Sequence, residues 1–329
     1  MRIATARACV TVMLLGAALS SVAWASGDSG YRIIDKWPIG GAGKWDYLIV
    51  DSPHHRLFVS RATHIQVVDL ETGKVAGDIA NTPGVHGIAL AEDLNRGFSS
   101  NGKGNSVTAF NLETLAPIAE IKISGEDPDA IIYDTPSKRV YTFNGRSNNA
   151  TVIDAASARE IGSIALPGRP EFAVSDGMGH LYVNLEDKGE LAVIDVAKGA
   201  VQSTWSLAPC EEPTGLAMDV ARHRLFSVCH NQRLIVTDSA TGKRVAELSI
   251  GKHVDAAAFD PSASLVFSSN GDSADVSVVS AETGNRYLVR GSLATAMGSK
   301  TMALDVTSHR LYVPALGPNG FLVLVGAPK

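Results

Sequence analysis

Cysteine is scarce in this chain, with three among 329 residues at positions 9, 210 and 229. So few thiols exclude a fold stapled by many disulfides and exclude a structural zinc module built on paired Cys-x-x-Cys clusters. Aromatic residues make up only 6% of the chain, and beyond residue 25 no apolar run reaches the length of a membrane span. Basic runs are missing too, and the formal charge is −5. Nucleic acid is therefore not an expected partner, because its non-specific binding draws on phosphate neutralisation. The chain lacks a Cys-x-x-Cys-His haem attachment, a phosphate loop, a Gly-x-Ser-x-Gly elbow and a His-Glu-x-x-His pair. No stretch sustains the three-to-four-residue apolar spacing of an amphipathic helix, which excludes helical repeat arrays.

Residues 1–25 read as an export leader. Arg2 and Arg7 precede an apolar run from Ala8 to Leu19, and Ala23-Trp24-Ala25 supplies a small-residue cleavage site. Cleavage near Ala25 would leave a periplasmic or secreted protein, and loss of the two arginines takes the charge from −5 to −7. Cys9 sits too early for a lipidated cysteine. Residues 26–329 are expected to form a single domain and to be monomeric.

One pattern recurs seven times along those residues: an apolar triplet, a turn and a strand centred on an aromatic. It runs LIVDSPHHRLFVS from Leu48, IALAEDLNRGFSS from Ile88, IIYDTPSKRVYTF from Ile131 and FAVSDGMGHLYVN from Phe172. It continues as LAMDVARHRLFSV from Leu216, AAFDPSASLVFSS from Ala257 and MALDVTSHRLYVP from Met302. The turn anchors Asp51, Ala91, Asp134, Ser175, Asp219, Asp260 and Asp305 stand 40 to 45 residues apart. Each period also holds a second strand pair, such as LIVTDSATGKRVAEL from Leu234 to Leu248. Four short antiparallel strands repeated seven times predict an all-β, seven-bladed β-propeller. The last copy ends after its third strand, LVLV at Leu322 to Val325, whereas YRIIDKWPIG at Tyr31 to Gly40 precedes the first copy and looks like an outer strand. The N-terminal strand is thus expected to complete the last blade and close the ring.

Tyr141-Thr142-Phe143-Asn144 and Tyr182-Val183-Asn184, with Phe98-Ser99-Ser100-Asn101 and Phe267-Ser268-Ser269-Asn270 as variants, resemble the signature of the YVTN-repeat β-propellers. The resemblance spans roughly residues 31 to 326. It implies the propeller fold and export, and it implies no particular activity. The Gly-His and Trp-Asp signature of WD-repeat blades is missing, as are the paired glycines of kelch blades.

Cys210 precedes the first strand of blade 5 and Cys229 ends its second, so both fall on one face of that blade. A disulfide is expected there in an oxidising compartment, with a metal or redox role and two free thiols as the alternatives. Five residues before each anchor stand Asp46, His86, Asp129, Pro170, Thr214, Asp255 and Lys300, with Glu171 one place later in blade 4. These positions open the innermost strands, so Asp46, His86, Asp129, Glu171, Thr214, Asp255 and Lys300 should ring the channel mouth as a ligand site. The competing reading is that Asp and Thr there satisfy backbone donors where each blade begins. No cofactor is expected, although Asp oxygens and the His nitrogen could hold a divalent metal.

His55, His223 and His309 share one place in the opposite turn, as do Arg56, Arg96, Arg139, Arg224 and Arg310 in the strand that follows. Both sets read as blade features, the arginines pairing with carboxylates. Asn101-Gly102, Asn144-Gly145 and Asn270-Gly271 read as tight turns needing a positive backbone angle. Trp45 and Tyr47 flank Asp46 and could line the mouth, while Trp37 and Trp205 fit blade packing. The preferred function is an exported, non-catalytic module that binds a small polar ligand or a protein through its top face. A metal-assisted lyase or lactone hydrolase at the mouth is the alternative, and an accessory propeller of a redox system is the third reading. Fold alone selects no activity among them.

Overall fold

The computed structural model describes residues 27–41 and 44–329; the expected leader and Cys9 lie outside them. Seven four-stranded antiparallel sheets are arranged in a ring. Blade 1 runs outward from the axis through Leu48–Asp51, Arg56–Ser60, Ile65–Asp69 and Val75–Ile79. Blades 2 to 6 repeat that order, their innermost strands opening at Val85, Pro128, Pro170, Pro213 and Val254. Blade 7 takes Ala303–Asp305, Arg310–Gly317 and Gly320–Pro328 from the C-terminal end and Tyr31–Pro38 from the N-terminal end. Arg32 stands opposite Ala327, Lys36 opposite Leu324 and Trp37 opposite Val323. The third strand of this blade is longer than the LVLV segment. No helix among the described residues is long and apolar enough to cross a membrane.

The core lies between blades rather than within one. The aromatics at the centre of the second strands, among them Phe58, Phe98, Tyr141, Phe226, Phe267 and Tyr312, are almost wholly buried. Each contributes on the order of 1.5–3 kcal/mol by leaving water. Tyr141 and Phe143 of blade 3 pack with Leu181 and Val183 of blade 4, and Leu57 and Val59 of blade 1 pack with Tyr312 and Val323 of blade 7. Trp37 lies 5.4 Å from Tyr312 and Trp205 lies 6.0 Å from Tyr182, ring centre to ring centre. Both tryptophans therefore serve blade packing.

On the face opposite the mouth, the repeated turn places a left-handed residue at His55, Asn95, Lys138, His223, Ser264 and His309, with φ between 51° and 59°. The buried anchor carboxylates then tie one blade to the next. Asp134 accepts from Ser175 Oγ at 2.6 Å, Asp305 from Ser52 Oγ at 2.9 Å, and His309 Nδ1 lies 2.6 Å from Asp260. Arg56 pairs with Asp51 and Arg224 with Asp238, each at 2.6 Å. Arg96 departs from the expected pattern and donates to the carbonyls of Ala155 and Ala156 in blade 3. A backbone carbonyl there does the work that a carboxylate does elsewhere.

The Asn-Gly pairs also behave differently from expectation. The positive angle sits further along each loop, at Asn105 (φ 43°), Asn148 (φ 50°) and Ala274 (φ 53°). Close packing accounts for two of the glycines: a Cβ on Gly102 would stand 2.8 Å from His86 Nε2, and one on Gly271 would stand 3.0 Å from Lys300 Cβ. The preceding asparagines fasten the hairpin that follows. Asn101 Nδ2 donates to Thr108, Asn144 Nδ2 to Thr151 and Asn270 Nδ2 to Ser277. Blade 5 has Cys229 at this place, bonded to Cys210 across a Cα separation of 5.5 Å. Blade 1 has Arg61, fully buried, donating to Gly40 O at 2.8 Å and lying over the Phe321 ring.

Candidate functional site at the channel mouth

Five of the seven mouth residues have their backbone carbonyl held by a side chain of the neighbouring blade. Ser60 Oγ of blade 1 donates to His86 O of blade 2 at 2.6 Å, and Ser100 Oγ of blade 2 donates to Asp129 O of blade 3. Asn184 Nδ2 donates to Thr214 O at 2.9 Å, Ser269 Oγ to Lys300 O, and Thr301 Oγ1 to Asp46 O at 2.8 Å. Sequence reasoning missed these clips. Their signal was available, since Ser60, Ser100, Asn184 and Ser269 all stand nine residues after their anchor.

The side chains fall into distinct groups. His86 Nδ1 lies 2.6 Å from Asp46 Oδ2 and 3.8 Å from Asp129 Oδ1, which joins blades 1, 2 and 3. Lys300 Nζ lies 2.6 Å from Asp255 Oδ2. Glu171 has Arg169 Nη2 at 3.4 Å, and Arg169 also contacts Glu186. Thr214 is buried and spends its hydroxyl on Val254 O at 3.1 Å, so this side chain holds a strand start.

Acid groups outnumber bases at this rim, and ionisation responds. Burial, followed by the charges of Asp129 and Asp255, raises Glu171 to about 8 against the pull of Arg169. Burial raises Asp129 to about 7, with Asp46 and Asp255 adding to it and His86 opposing. Burial lowers His86, but the Asp46 hydrogen bond and the charges of Asp129, Asp46 and Asp127 outweigh it and lift the imidazole to about 9. Asp255 is raised by burial despite Lys300. Lys300 is itself raised, since Asp255, Asp46 and Asp129 overcome its desolvation.

Tyr47 turns into the axis and meets Phe172 of blade 4 at 5.3 Å between ring centres. Burial first, then Asp129, Asp255, Asp46 and Glu171, push its phenol well above the ordinary range. Tyr47 and Phe172 also line a largely apolar cavity of about 320 Å³ with residues such as Ile88, Ile131, Ala256 and Met302. Tyr47 thus stands between the acidic rim and the apolar channel. Trp45 packs on Phe321 at 5.2 Å and also lines a pocket with Asp46 and His86.

A second acid–imidazole group lies nearby. Glu186, Glu212 and His230 bring ligand atoms within 4.8 Å of one another, as Asp46, His86 and Asp129 do. His230 Nδ1 is 2.8 Å from Glu212, and its ring stacks on His253 at 5.5 Å. His253 Nδ1 faces Asp272 at 3.8 Å.

Among solved structures, the chain is similar to a chain of Kuenenia stuttgartiensis hydrazine synthase, with TM-score 0.73 and 19% identity over 86% of this chain and 96% of that one. It is similar to the WD40 repeats of RRP9, with TM-score 0.76 and 9% identity over 92% of this chain and 99% of that one. A third likeness is to U3-55K, with TM-score 0.76 and 10% identity over 89% of this chain and 98% of that one. No family model matches the chain, and neither does any curated protein, so the YVTN resemblance has no matching model behind it. At these identities the likeness is one of fold, and the fold is that of a seven-bladed β-propeller.

Proposed function

We propose that this protein is an exported, non-catalytic binding module that takes a small polar ligand of net positive charge at its channel mouth. The observation carrying this reading is the convergence of Asp46, Asp129, Glu171 and Asp255 from four blades on a rim where burial and mutual repulsion raise Asp129, Glu171 and Asp255. A bound cation would relieve that repulsion and let the carboxyls ionise. The backbones of Asp46 and Asp129 are clipped from the neighbouring blade, which keeps the ordering cost of binding low. The Cys210–Cys229 bond and the leader support a working place outside the reducing cytoplasm. A metal-assisted lyase or lactone hydrolase draws support from the Asp46, His86 and Asp129 group alone. The hydrazine synthase likeness bears on fold and lends nothing to a redox-accessory role.

Calorimetric titration with 1,4-diaminobutane, choline and acetate tests the binding reading. Cations should bind with proton release and tighten between pH 6 and pH 8, and acetate should not bind. Glu171→Gln combined with Asp255→Asn should weaken cation binding at least tenfold while the circular dichroism stays native. Acetate binding in place of the cations, or full-strength cation binding by the folded double variant, would overturn the reading.

A further inference from the structure

We propose that Asp46 Oδ2, His86 Nδ1 and Asp129 Oδ1 form a site for one divalent first-row transition cation, of the Zn²⁺ or Mn²⁺ class. The inference rests on the reading of the mouth as a cation site and names a metal at its blade 1 to 3 end. The three atoms lie within 4.8 Å of one another, with the imidazole nitrogen 2.6 Å and 3.8 Å from the two oxygens. Two ligands bound at about 2.1 Å and at right angles stand about 3 Å apart, so the observed spacings bracket one coordination sphere and call for only small side-chain movements.

A second, independent observation points to an occupant. The Asp129 side chain is 30% exposed, yet its Oδ1 is shut off from solvent and accepts no hydrogen bond, with His86 Nδ1 standing 3.8 Å away. A buried acceptor without a donor is costly, and native structures rarely leave one. This orphan is the oxygen that faces His86 Nδ1, the place where an ion would sit.

The supporting shell is already fixed. Ser60, Ser100 and Thr301 pin the backbone carbonyls of His86, Asp129 and Asp46 respectively, so all three ligand residues are held by hydroxyls of the preceding blade. Gly102 leaves room beside His86 Nε2, where a Cβ would stand at 2.8 Å, and Asp127 Oδ1 is equally close to that point. One nitrogen and two carboxylate oxygens suit Zn²⁺, Mn²⁺ or Fe²⁺ better than Ca²⁺ or Mg²⁺, which prefer all-oxygen sites, and better than Cu⁺, which prefers sulfur. Three protein ligands also leave coordination positions open toward the mouth.

Chelator-treated full-length mature protein, titrated with Zn²⁺ and separately with Mn²⁺, provides the test. One equivalent should bind, and the Mn²⁺ complex should show a nitrogen coupling from histidine by electron spin echo spectroscopy. His86→Gln should abolish that coupling and weaken binding at least a hundredfold, and Asp129→Asn should weaken it at least tenfold. His230→Ala, in the neighbouring Glu186 and Glu212 group, should leave both unchanged. If folded wild-type protein takes up neither metal, or if binding survives His86→Gln and is lost in His230→Ala, the inference is overturned. Binding of 1,4-diaminobutane without metal uptake would overturn this site and leave the broader cation reading standing; binding of neither would end both.

Discussion

Tyr47 and Phe172, on blades 1 and 4, touch ring to ring at 5.3 Å and so span the axis of the propeller. Their contact divides the acidic rim from the apolar cavity. Replacing Tyr47 with Ala should cost about 3–5 kcal/mol, the range for large aromatic truncations in a packed core. Urea denaturation of Tyr47→Ala and Tyr47→Phe checks this, the phenylalanine variant retaining most of the stability. Equal losses in the two would mean that the hydroxyl, not the ring, makes the contribution.

The outer strand of blade 7 comes from the opposite end of the chain, with Trp37 opposite Val323. Deleting residues 26–38 removes that strand, exposes the edge of Gly320–Pro328 and strips Tyr31 and Trp37 from their clusters. The shortened protein should lose several kcal/mol, a large share of typical domain stability. Thermal denaturation would show this as a clear drop in Tm, and an unchanged Tm would contradict it.

Cys210 and Cys229 are 19 residues apart in sequence. Closing a loop of that size restricts the unfolded chain by roughly 3 kcal/mol. Oxidised protein should therefore unfold at higher denaturant than reduced protein, with Cys229→Ser matching the reduced form. Thiol titration of denatured, unreduced mature protein should find no free thiol.

Stability should fall as pH rises through neutrality. Glu171, raised from 4.5 to about 8, and Asp129, raised from 3.8 to about 7, hold protons in the folded state that the unfolded chain has already released. Across those intervals deprotonation favours unfolding. His86, raised from 6.5 to about 9, contributes stability that is complete below pH 6.5 and lost as pH approaches 9. All three act in the same direction between about pH 4 and pH 9. Carboxylates with depressed values, such as Asp260 and Asp305, titrate below that window. Denaturation at pH 5, 7 and 9 with chelator present should give decreasing stability, and Glu171→Gln should flatten the decline. A rise toward pH 9 would contradict the assigned ionisation of the mouth.

Blade number, strand order and the joining of the chain ends were legible because a propeller repeats its physics. Every blade must bury an aromatic of its second strand against the next blade and must turn twice in the same way, so Phe58, Phe98 and Tyr312 recur at a fixed distance from their anchors. The repeated turns are local, and local needs leave a periodic trace, but that trace did not place the positive backbone angle, which falls at Asn105, Asn148 and Ala274 and not on the Asn-Gly pairs. The pairing of Cys210 with Cys229 was legible for the same reason, since a hairpin sets their separation.

Side-chain direction at the rim carries no such trace. The sequence names seven rim positions equivalent by register, yet only packing decides that Thr214 turns to Val254 O, that Lys300 closes on Asp255 and that His86 reaches both Asp46 and Asp129. Tyr47 crosses to Phe172, whereas Trp45, two places before it, packs on Phe321. Periodicity in the sequence located the seven inner strands, since that depends on neighbours along the chain, although those of blades 1 and 7 begin at Leu48 and Ala303, after Asp46 and Lys300. Tertiary structure decided which charges meet, because Asp46, His86 and Asp129 are brought together by the curvature of the ring, and that curvature belongs to all seven blades at once.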